Sequence, residues 1–281
     1  MPLYMDIHTV DSDNFTVEDV VKAHMEDVAV QERFGVIQIK YWVDTDNKKI
    51  FCLMKGPSKE ACNAVHTESH GNTACNIIEV SDDEYNLFLH AVKTKNDLAI
   101  KPSGQVDAGF RTFLLVDTID FTGKFYHFTN EIYNLVNKRY GVNIAQTNKG
   151  ILMTFVDAVN AATCAIEIKR LLNSIPEHYE YKISLVTGNP VDEDGNKLFE
   201  ETKFKINTFN KIGQINKIYL DLNTKLILGK NPHAPKLNAG IFKVIKPNDY
   251  ALILKIVTVF ETEIHNPDFN LDKIYNEIGL S

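Results

Sequence analysis

The sequence predicts an α+β protein that is divided into two domains. Short strands and helices alternate in the order βαββαβ over residues 1–80, and a second series of strands and helices occupies residues 108–281. Residues 81–107 contain a short amphipathic stretch and then Pro102, Ser103 and Gly104, which indicates a helix followed by a linker. The chain of 281 residues is long enough for two domains of ordinary size. Its 44% hydrophobic and 24% charged residues are typical of a packed protein rather than a disordered one.

The first domain opens with a strand and a helix. In the strand LYMDIHTV, alternation places apolar side chains on one face, namely Leu3, Met5 and Ile7. The other face carries Tyr4, Asp6 and His8. Thr16 is placed to cap the helix that follows, with Asp19 as the third helical residue. Asp is a weaker partner there than the Glu of a full capping box. Gly35 ends the helix.

A hairpin, a second helix and a last strand complete this domain. The hairpin strands are GVIQIKYWVD and KKIFCLMKG, and the turn-forming segment TDN separates them. Pro57 and Ser58 start the second helix, Gly71 ends it, and TACNIIEV is the last strand. This order is that of a ferredoxin-like fold, in which two helices cover one face of an antiparallel sheet. Such domains also pair readily through the open face of the sheet.

The second domain follows the same strand and helix logic without sharing a residue string with the first. Its first strand, FRTFLLVDTIDFT, is hydrophobic and ends in carboxylates and a Thr. A helix, the hairpin VNIAQTNKGILMTFV, the helix DAVNAATCAIEIKRLLNS and the strand YKISLVTGNPV come next. The two halves are therefore interpreted as two domains and not as a sequence repeat.

Charge and composition exclude several classes of protein. The net charge of -7 and the even spread of lysines give no electrostatic footprint for nucleic acid. No segment reaches the roughly 18 apolar residues of a membrane-spanning helix, and the N-terminus does not resemble a signal peptide. Four cysteines are too few and too irregular for a disulfide scaffold. We therefore expect a cytoplasmic protein that binds neither nucleic acid nor membranes.

The histidines of the first domain are candidate metal ligands. His66 and His70 lie four residues apart on the second helix, so that both imidazoles project from one face and can grip one transition metal. His24 lies on the inward stripe of the first helix, and His8 shares a strand face with Asp6. A site of imidazoles with one or two carboxylates suits nickel, zinc or copper better than calcium or magnesium.

Some of these residues also fit a purely structural role. Cys52, in a strand of the hairpin, could add a thiolate, but a small core residue is the more frequent role for such a cysteine. An inward histidine such as His24 is more often a hydrogen-bonded core residue than a ligand. The domain also contains MDIH, AHMEDVAVQERFGV, the pair Tyr41 and Trp42, FCL and VHTESHG. Together these features resemble a family of small ferredoxin-like proteins described as nickel-binding. The resemblance implies metal binding.

Three stretches of the second domain are informative, namely FLLVDTIDFTGKF, TNKGILMTF and DAVNAATCAIEIKRLL. Through them the domain resembles the class III adenylyl and guanylyl cyclase domain over residues 108–262, which implies a class III cyclase-like α/β domain, also built on a ferredoxin-like core. In FLLVDTIDFTGKF, the metal-binding Asp117 of the family motif is in register with Phe121 and Thr122, while Asp120 replaces a Gly. In TNKGILMTF, Lys149 stands where the second metal carboxylate belongs. Lysine supplies no lone pair and repels a cation, so two divalent ions cannot be held there.

The later cyclase motif is altered in the same way. The segment KINTFNKIG keeps Asn207, which the family uses to orient the ribose, but has Lys211 where the family has a transition-state Arg. Lysine lacks the bidentate fork of arginine, so the resemblance implies lost catalysis. Asp117 and Asn207 are left as a residual nucleotide or metal site. Their alternative roles are a cap before a helix for Asp117 and a local turn in a β-to-α connection for Asn207.

These observations favour a non-enzymatic sensor or signalling protein that binds a metal or a small ligand. The degenerate cyclase-like domain would then be a dimerisation module, and we expect a homodimer because class III domains build their sites at a two-fold interface. One alternative is a residual nucleotide-binding or cyclase protein that depends on a partner chain. Another is a transition-metal sink with a structural second half.

Overall fold

The computed structural model describes residues 1–88, 92–119, 128–146, 150–175, 179–212, 215–230 and 260–261. The elements of the first domain, in chain order, are β1 (Leu3–Thr9), α1 (Val17–Val30), β2 (Ile37–Asp44), β3 (Lys49–Lys55), α2 (Lys59–Ser69) and β4 (Asn76–Val80). Its four strands are antiparallel in the order β2-β3-β1-β4, with β1 between β3 and β4. This is the ferredoxin-like arrangement, so the predicted fold of the first domain is confirmed.

The first helix begins as the sequence predicts. Thr16 is extended and accepts a hydrogen bond from the backbone N–H of Asp19, while the Asp19 carboxylate accepts from the Thr16 backbone N–H. The shorter aspartate therefore completes the capping box that the sequence leaves in doubt. This cap fixes where the helix starts, and with it the direction in which its inward residues point.

The connector contacts both domains: its hairpin lies against the first domain, and its helix lies against the second. It contains α3 (Asp82–Phe88) and a small hairpin of β5 (Val92–Lys93) and β6 (Ala99–Ile100). Leu98 forms a parallel bridge with Tyr41 on β2, and the backbone N–H of Tyr41 donates to the carbonyl of Asp97. The connector thus pairs with part of an edge strand that would otherwise present unpaired backbone groups.

The second domain repeats the topology of the first. Its elements are β7 (Arg111–Thr118), α4 (Thr129–Lys138), β8 (Val142–Gln146), β9 (Gly150–Phe155), α5 (Ala158–Asn173), β10 (Tyr181–Gly188), α6 (Glu200–Ile212), β11 (Lys217–Leu220), α7 (Leu222–Lys230) and β12 (Phe260–Glu261). The sheet order is β12-β11-β10-β7-β9-β8, and β11 runs parallel to β10. The order β8-β9-β7-β10 matches β2-β3-β1-β4 of the first domain. The predicted ferredoxin-like core of the second domain is therefore confirmed.

The two domains share one hydrophobic core. The face of the first sheet that α1 and α2 leave uncovered packs against β7, β10 and α6 of the second domain. The buried residues of this shared core include Leu3, Met5, Ile7, Trp42, Phe51, Leu53, Phe113, Val186, Phe199, Ile206 and Phe209. The expectation that the first domain could pair through an open sheet face is therefore wrong, because its own second domain covers that face.

Hydrogen bonds at the edge of the shared core also join the two domains. The Asn76 amide donates to the carbonyls of Asp192 and Gly195, and the Thr9 hydroxyl donates to Glu193 at 2.8 Å.

Among the residues that the structure describes, no helix is both long and apolar enough to span a membrane.

Candidate metal centre

A cavity of about 470 Å³ lies on the helix side of the first sheet, where β1, β2 and β3 face α1 and α2. All four histidines that the sequence singles out line it: His8, His24, His66 and His70. They come from three different elements, β1, α1 and α2. The strand alternation that places Tyr4 and Asp6 toward the helices also places His8 there, and helical spacing does the same for the others. The structure therefore brings the predicted metal ligands to one place.

His66 is the centre of the cluster. Its Nε2 lies 2.9 Å from Oδ2 of Asp6, and its Nδ1 lies 3.0 Å from Oδ2 of Asp27. All three side chains are almost fully buried. A buried carboxylate must be compensated, and here one imidazole serves two of them. The triad joins β1, α1 and α2 through polar contacts.

His8 and His70 stand on either side of this triad. His8 Nε2 is 3.3 Å from Oδ2 of Asp6, and His70 Nε2 is 3.3 Å from Oδ1 of Asp27. The ring centroids of His8 and His70 are 4.7 Å and 5.7 Å from that of His66. His70 is the C-terminal cap of α2, and its side chain is 14% exposed. His8 and His70 thus extend the cluster on both sides of His66.

Burial and hydrogen bonding set the protonation of the triad. Burial by itself lowers the pKa of His66, but the hydrogen bonds to Asp27 and Asp6 outweigh it and raise that pKa to about 10. Burial opposes ionisation of both carboxyls as well, yet the neighbouring histidines hold the pKa values of Asp6 and Asp27 well below their ordinary range. Two carboxylates and one imidazolium leave the triad with one net negative charge at neutral pH. That charge favours a cation in the adjoining cavity.

His24 occupies the opposite wall, beside β2. Its Nε2 is 3.3 Å from Oδ2 of Asp97, and its ring lies against that of Tyr41 with the centroids 4.4 Å apart. Burial lowers the pKa of His24, so the ring is neutral near pH 7. Its Nδ1 is buried and has no hydrogen-bond partner among the described residues, and the same holds for the Tyr41 hydroxyl.

Cys52 lies opposite Asp6 in the pairing of β1 with β3. Its backbone N–H donates to Oδ1 of Asp6 at 2.9 Å. Burial, together with the nearby carboxylates of Asp6 and Asp27, raises the pKa of the Cys52 thiol well above its ordinary value. In the metal-free protein this group is therefore a thiol, and a thiolate would form only when a metal displaces its proton.

The donor atoms fit a transition metal. Two groups each offer three ligand atoms that lie within 4.8 Å of one another, namely Asp6, His8 and Cys52, and Asp27, His66 and His70. Because both ring nitrogens of His66 carry protons at neutral pH, His66 would become a ligand only when a metal displaces one of them, as for the Cys52 thiol. Imidazole nitrogen with carboxylate oxygen is a donor set that suits nickel, zinc and copper. His24, also predicted as a ligand, lines the cavity but is in neither group. Its Nδ1 has no hydrogen-bond partner among the described residues, and it is the kind of buried polar atom that a ligand would satisfy.

Two members of the cluster escape sequence reasoning. Asp27 contacts both His66 and His70, and Asp97 contacts His24. Asp27 follows Val20 and His24 at helical spacing, and all three are buried, so the inward stripe of α1 contained that information. Asp97 belongs to the connector, and nothing local in the sequence connects it with α1.

The structure describes only some of the residues that the cyclase resemblance singles out. Asp117 lies on β7 opposite Gly150 and Lys182, and it is in neither of the two ligand groups found among the described residues. Asn207 is exposed inside α6 rather than in a β-to-α connection. Lys149, together with Asp120, Phe121 and Thr122, lies outside the described residues. Lys211 is in α6, and its side chain is outside the described part of the chain.

Similarity to known proteins differs between the two domains. A family model described as "Nickel responsive protein SCO4226-like" matches residues 4–80. The structure of SCO4226 from Streptomyces coelicolor A3(2) is 36% identical, with 28% of this chain and 94% of that chain covered and a TM-score of 0.26. No curated protein matches the chain.

The rest of the chain is similar to cyclase structures. The guanylyl cyclase Cya2 is 15% identical over 58% of this chain and 95% of its own, with a TM-score of 0.42. The adenylyl cyclase CyaB from P. aeruginosa is 12% identical over 57% of this chain and 97% of its own, with a TM-score of 0.43. Through its N-terminal domain, residues 4–80, the chain belongs to the SCO4226-like family.

Proposed function

We propose that the first domain binds a nickel, zinc or copper ion in the histidine-lined cavity, and that the protein is a non-enzymatic, cytoplasmic metal sensor. The observation that carries this proposal is the convergence of four histidines on one cavity, with the buried carboxylates of Asp6 and Asp27 against His66. Chance pairs of histidines occur on helix surfaces, but these side chains come from separate elements and surround buried carboxylates. Maintaining such a cluster costs desolvation energy, which a bound cation would offset.

Nickel is the first metal to test. The family that matches the first domain is described as nickel responsive, and the nitrogen and oxygen donors suit that ion. Zinc and copper accept the same donors, and copper binds most such sites more tightly. Selection among the three would therefore depend on the geometry of the site and on metal supply rather than on affinity alone.

The second domain is proposed to be a dimerisation or signalling module without cyclase activity. Lys149 replaces the second metal carboxylate and Lys211 replaces the transition-state arginine. The positive charge of Lys149 opposes the binding of two divalent ions, and Lys211 lacks the bidentate fork with which an arginine stabilises the phosphate charge in the transition state. A homodimer would then form through the second domain, because the shared core covers the free sheet face of the first.

The packing of the two domains favours a sensor over a metal sink. The sheet that supplies His8 to the cavity, with Asp6 beside it, packs its other face on the second domain. Strand β1 therefore contributes to both the proposed metal site and the shared core. A sink with a merely structural second half does not require such a connection. Production of cyclic nucleotide by the wild-type protein with Mn²⁺ would instead support the alternative of a residual cyclase.

Elemental analysis of the purified protein, followed by titration with Ni²⁺, tests the metal proposal. The informative variant is His8→Ala combined with His70→Ala, because neither histidine bridges the two buried carboxylates as His66 does. Thr67→Ala, on the exposed face of α2, is a matched control. We expect wild type and control to bind Ni²⁺ and the double variant to lose at least tenfold in affinity. Absence of nickel, zinc and copper binding by the wild type would refute the proposal.

A further inference from the structure

The partner of His24 lies outside the metal-binding domain. Asp97 belongs to the connector, beyond the residues 4–80 that the family model matches, and its Oδ2 is 3.3 Å from Nε2 of His24. The His24 side chain is 3% exposed and that of Asp97 is 19% exposed, so the contact is largely protected from water. In many metal sites the ligating histidine donates its second ring N–H to a carboxylate, which fixes the tautomer and the ring orientation.

The hydrogen bond to Asp97 leaves the other ring nitrogen available. A neutral histidine that donates from Nε2 to a carboxylate has its lone pair on Nδ1. Nδ1 of His24 is buried without a partner among the described residues, and the residue lines the cavity. The ring also packs on Tyr41, which limits its rotation. Both the hydrogen bond and the packing therefore present Nδ1 as a ligand atom.

The backbone of Asp97 is held in place by the first domain. Asp97 has a φ of 61°, a left-handed conformation that Asp tolerates better than most residues but that still requires support from its surroundings. Its carbonyl accepts from the Tyr41 backbone N–H, and its own N–H donates to the Thr94 carbonyl. The neighbouring Leu98 is bridged to Tyr41 as well. The carboxylate is thus delivered to His24 by a segment that is anchored on β2.

The same segment continues to the second domain through buried contacts. The backbone N–H of Asp107 donates to Ala99 of the connector hairpin, and the carbonyl of Asp107 accepts from Val43 on β2. The Asp107 carboxylate receives two hydrogen bonds from Arg111, at 3.0 and 3.1 Å, and Arg111 is the first residue of β7. Described contacts therefore run from the cavity wall through the connector to the second domain.

We propose that Asp97 is a positioning residue for a metal-ligating His24, and that metal binding in the cavity consequently tightens the connector against the first domain. This inference rests on the proposed metal-binding function and adds its regulation. Because coupling between two sites is reciprocal, a connector that holds Asp97 in place strengthens metal binding, and bound metal stabilises the connector. The connector is then the element that reports metal occupancy to the second domain.

The test compares Ni²⁺ affinity among full-length variants by competition with a chelator. Asp97→Gly removes the carboxylate without straining the left-handed backbone, whereas Asp97→Asn keeps an acceptor for the Nε2 proton and loses the charge. Asp82→Asn, in the exposed first turn of α3, is the control. We expect Asp97→Gly to weaken binding by about 10–100-fold, Asp97→Asn by less, and the control to equal wild type.

Two further readouts separate positioning from a general loss of structure. In a His24→Ala background the effect of Asp97→Gly on affinity is expected to disappear, because the two residues act as one unit. Added Ni²⁺ is expected to slow hydrogen exchange at the amides of Tyr41 and Asp107 in wild type but not in Asp97→Gly. An unchanged affinity of Asp97→Gly, or an equal loss in both backgrounds, would overturn the inference while leaving the metal site intact. Failure of the wild type to bind Ni²⁺, Zn²⁺ or Cu²⁺ would instead refute the proposed function itself.

Discussion

The buried pair of contacts made by His66 predicts how the stability of the metal-free protein depends on pH. The pKa of His66 is raised from 6.5 to about 10, so the folded state holds a proton that the unfolded state releases. The stabilisation is fully present below pH 6.5 and is lost as the pH rises through 10. The depressed pKa values of Asp6 and Asp27 act in the opposite direction, and their stabilisation is lost only in acid.

The magnitude follows from the size of the shift. One pKa unit corresponds to about 1.4 kcal/mol, so His66 contributes on the order of 5 kcal/mol at most. Between pH 7 and 9 the free energy of unfolding is therefore expected to fall by up to about 1.4 kcal/mol per pH unit. This is a large fraction of the stability of an ordinary domain.

Urea denaturation in the presence of EDTA, monitored by circular dichroism from pH 6 to pH 10, measures this fall. Asp27→Asn removes one of the two charged partners and is expected to flatten the slope, whereas Asp82→Asn, on the surface, should leave it unchanged. NMR of the His66 ring gives an independent reading, since both ring nitrogens should carry protons at pH 8. Titration of His66 near pH 6.5 would refute the reasoning.

Three other predictions concern packing and metal binding. Gly150→Ala is expected to cost about 1–3 kcal/mol in urea denaturation, because a Cβ would lie 2.5 Å from a main-chain carbonyl of β7, whereas Gly229→Ala meets no atom within 4 Å and should not destabilise. Phe51→Ala, in the shared core, is expected to cost about 3–5 kcal/mol and to lower the melting of both domains together in calorimetry. Ni²⁺ at a hundredfold excess over its dissociation constant should raise the free energy of unfolding by about 2.7 kcal/mol in wild type, and much less in the variant that lacks His8 and His70.

Local pattern was sufficient for the fold of the first domain, whereas the ferredoxin-like core of the second was expected from its resemblance to the cyclase domain. Alternation in β1, the cap at Thr16 and the glycines after the helices mark element boundaries, and their order specifies the ferredoxin-like topology. The placement of Asn207 is the exception. Ile206 and Phe209 are buried in the shared core, so that stretch is the amphipathic helix α6 rather than a connection between a strand and a helix.

The sequence predicted the contacts of the candidate site that lie within one element, but not those between elements. His66 with His70, and Asp6 with His8, are pairs within one element, where spacing alone predicts that they share a face. Asp27 and Asp97 meet their histidines only after α1, α2 and the connector have packed together. The periodicity of a segment indicates which side chains face inward, but it does not identify the residues that they meet.

The shared core also has a consequence for how the first domain can exist. Residues 1–80 without the rest of the chain would expose a continuous apolar surface formed by Met5, Ile7, Phe51 and Leu53. If the partner were a separate protein, it would reach this surface by diffusion, and the fraction of covered surface would depend on the concentration of that partner. Covalent attachment instead supplies the partner at a high effective concentration, so the surface is covered even at very low protein levels. The second domain is in this sense a permanently tethered subunit of the first.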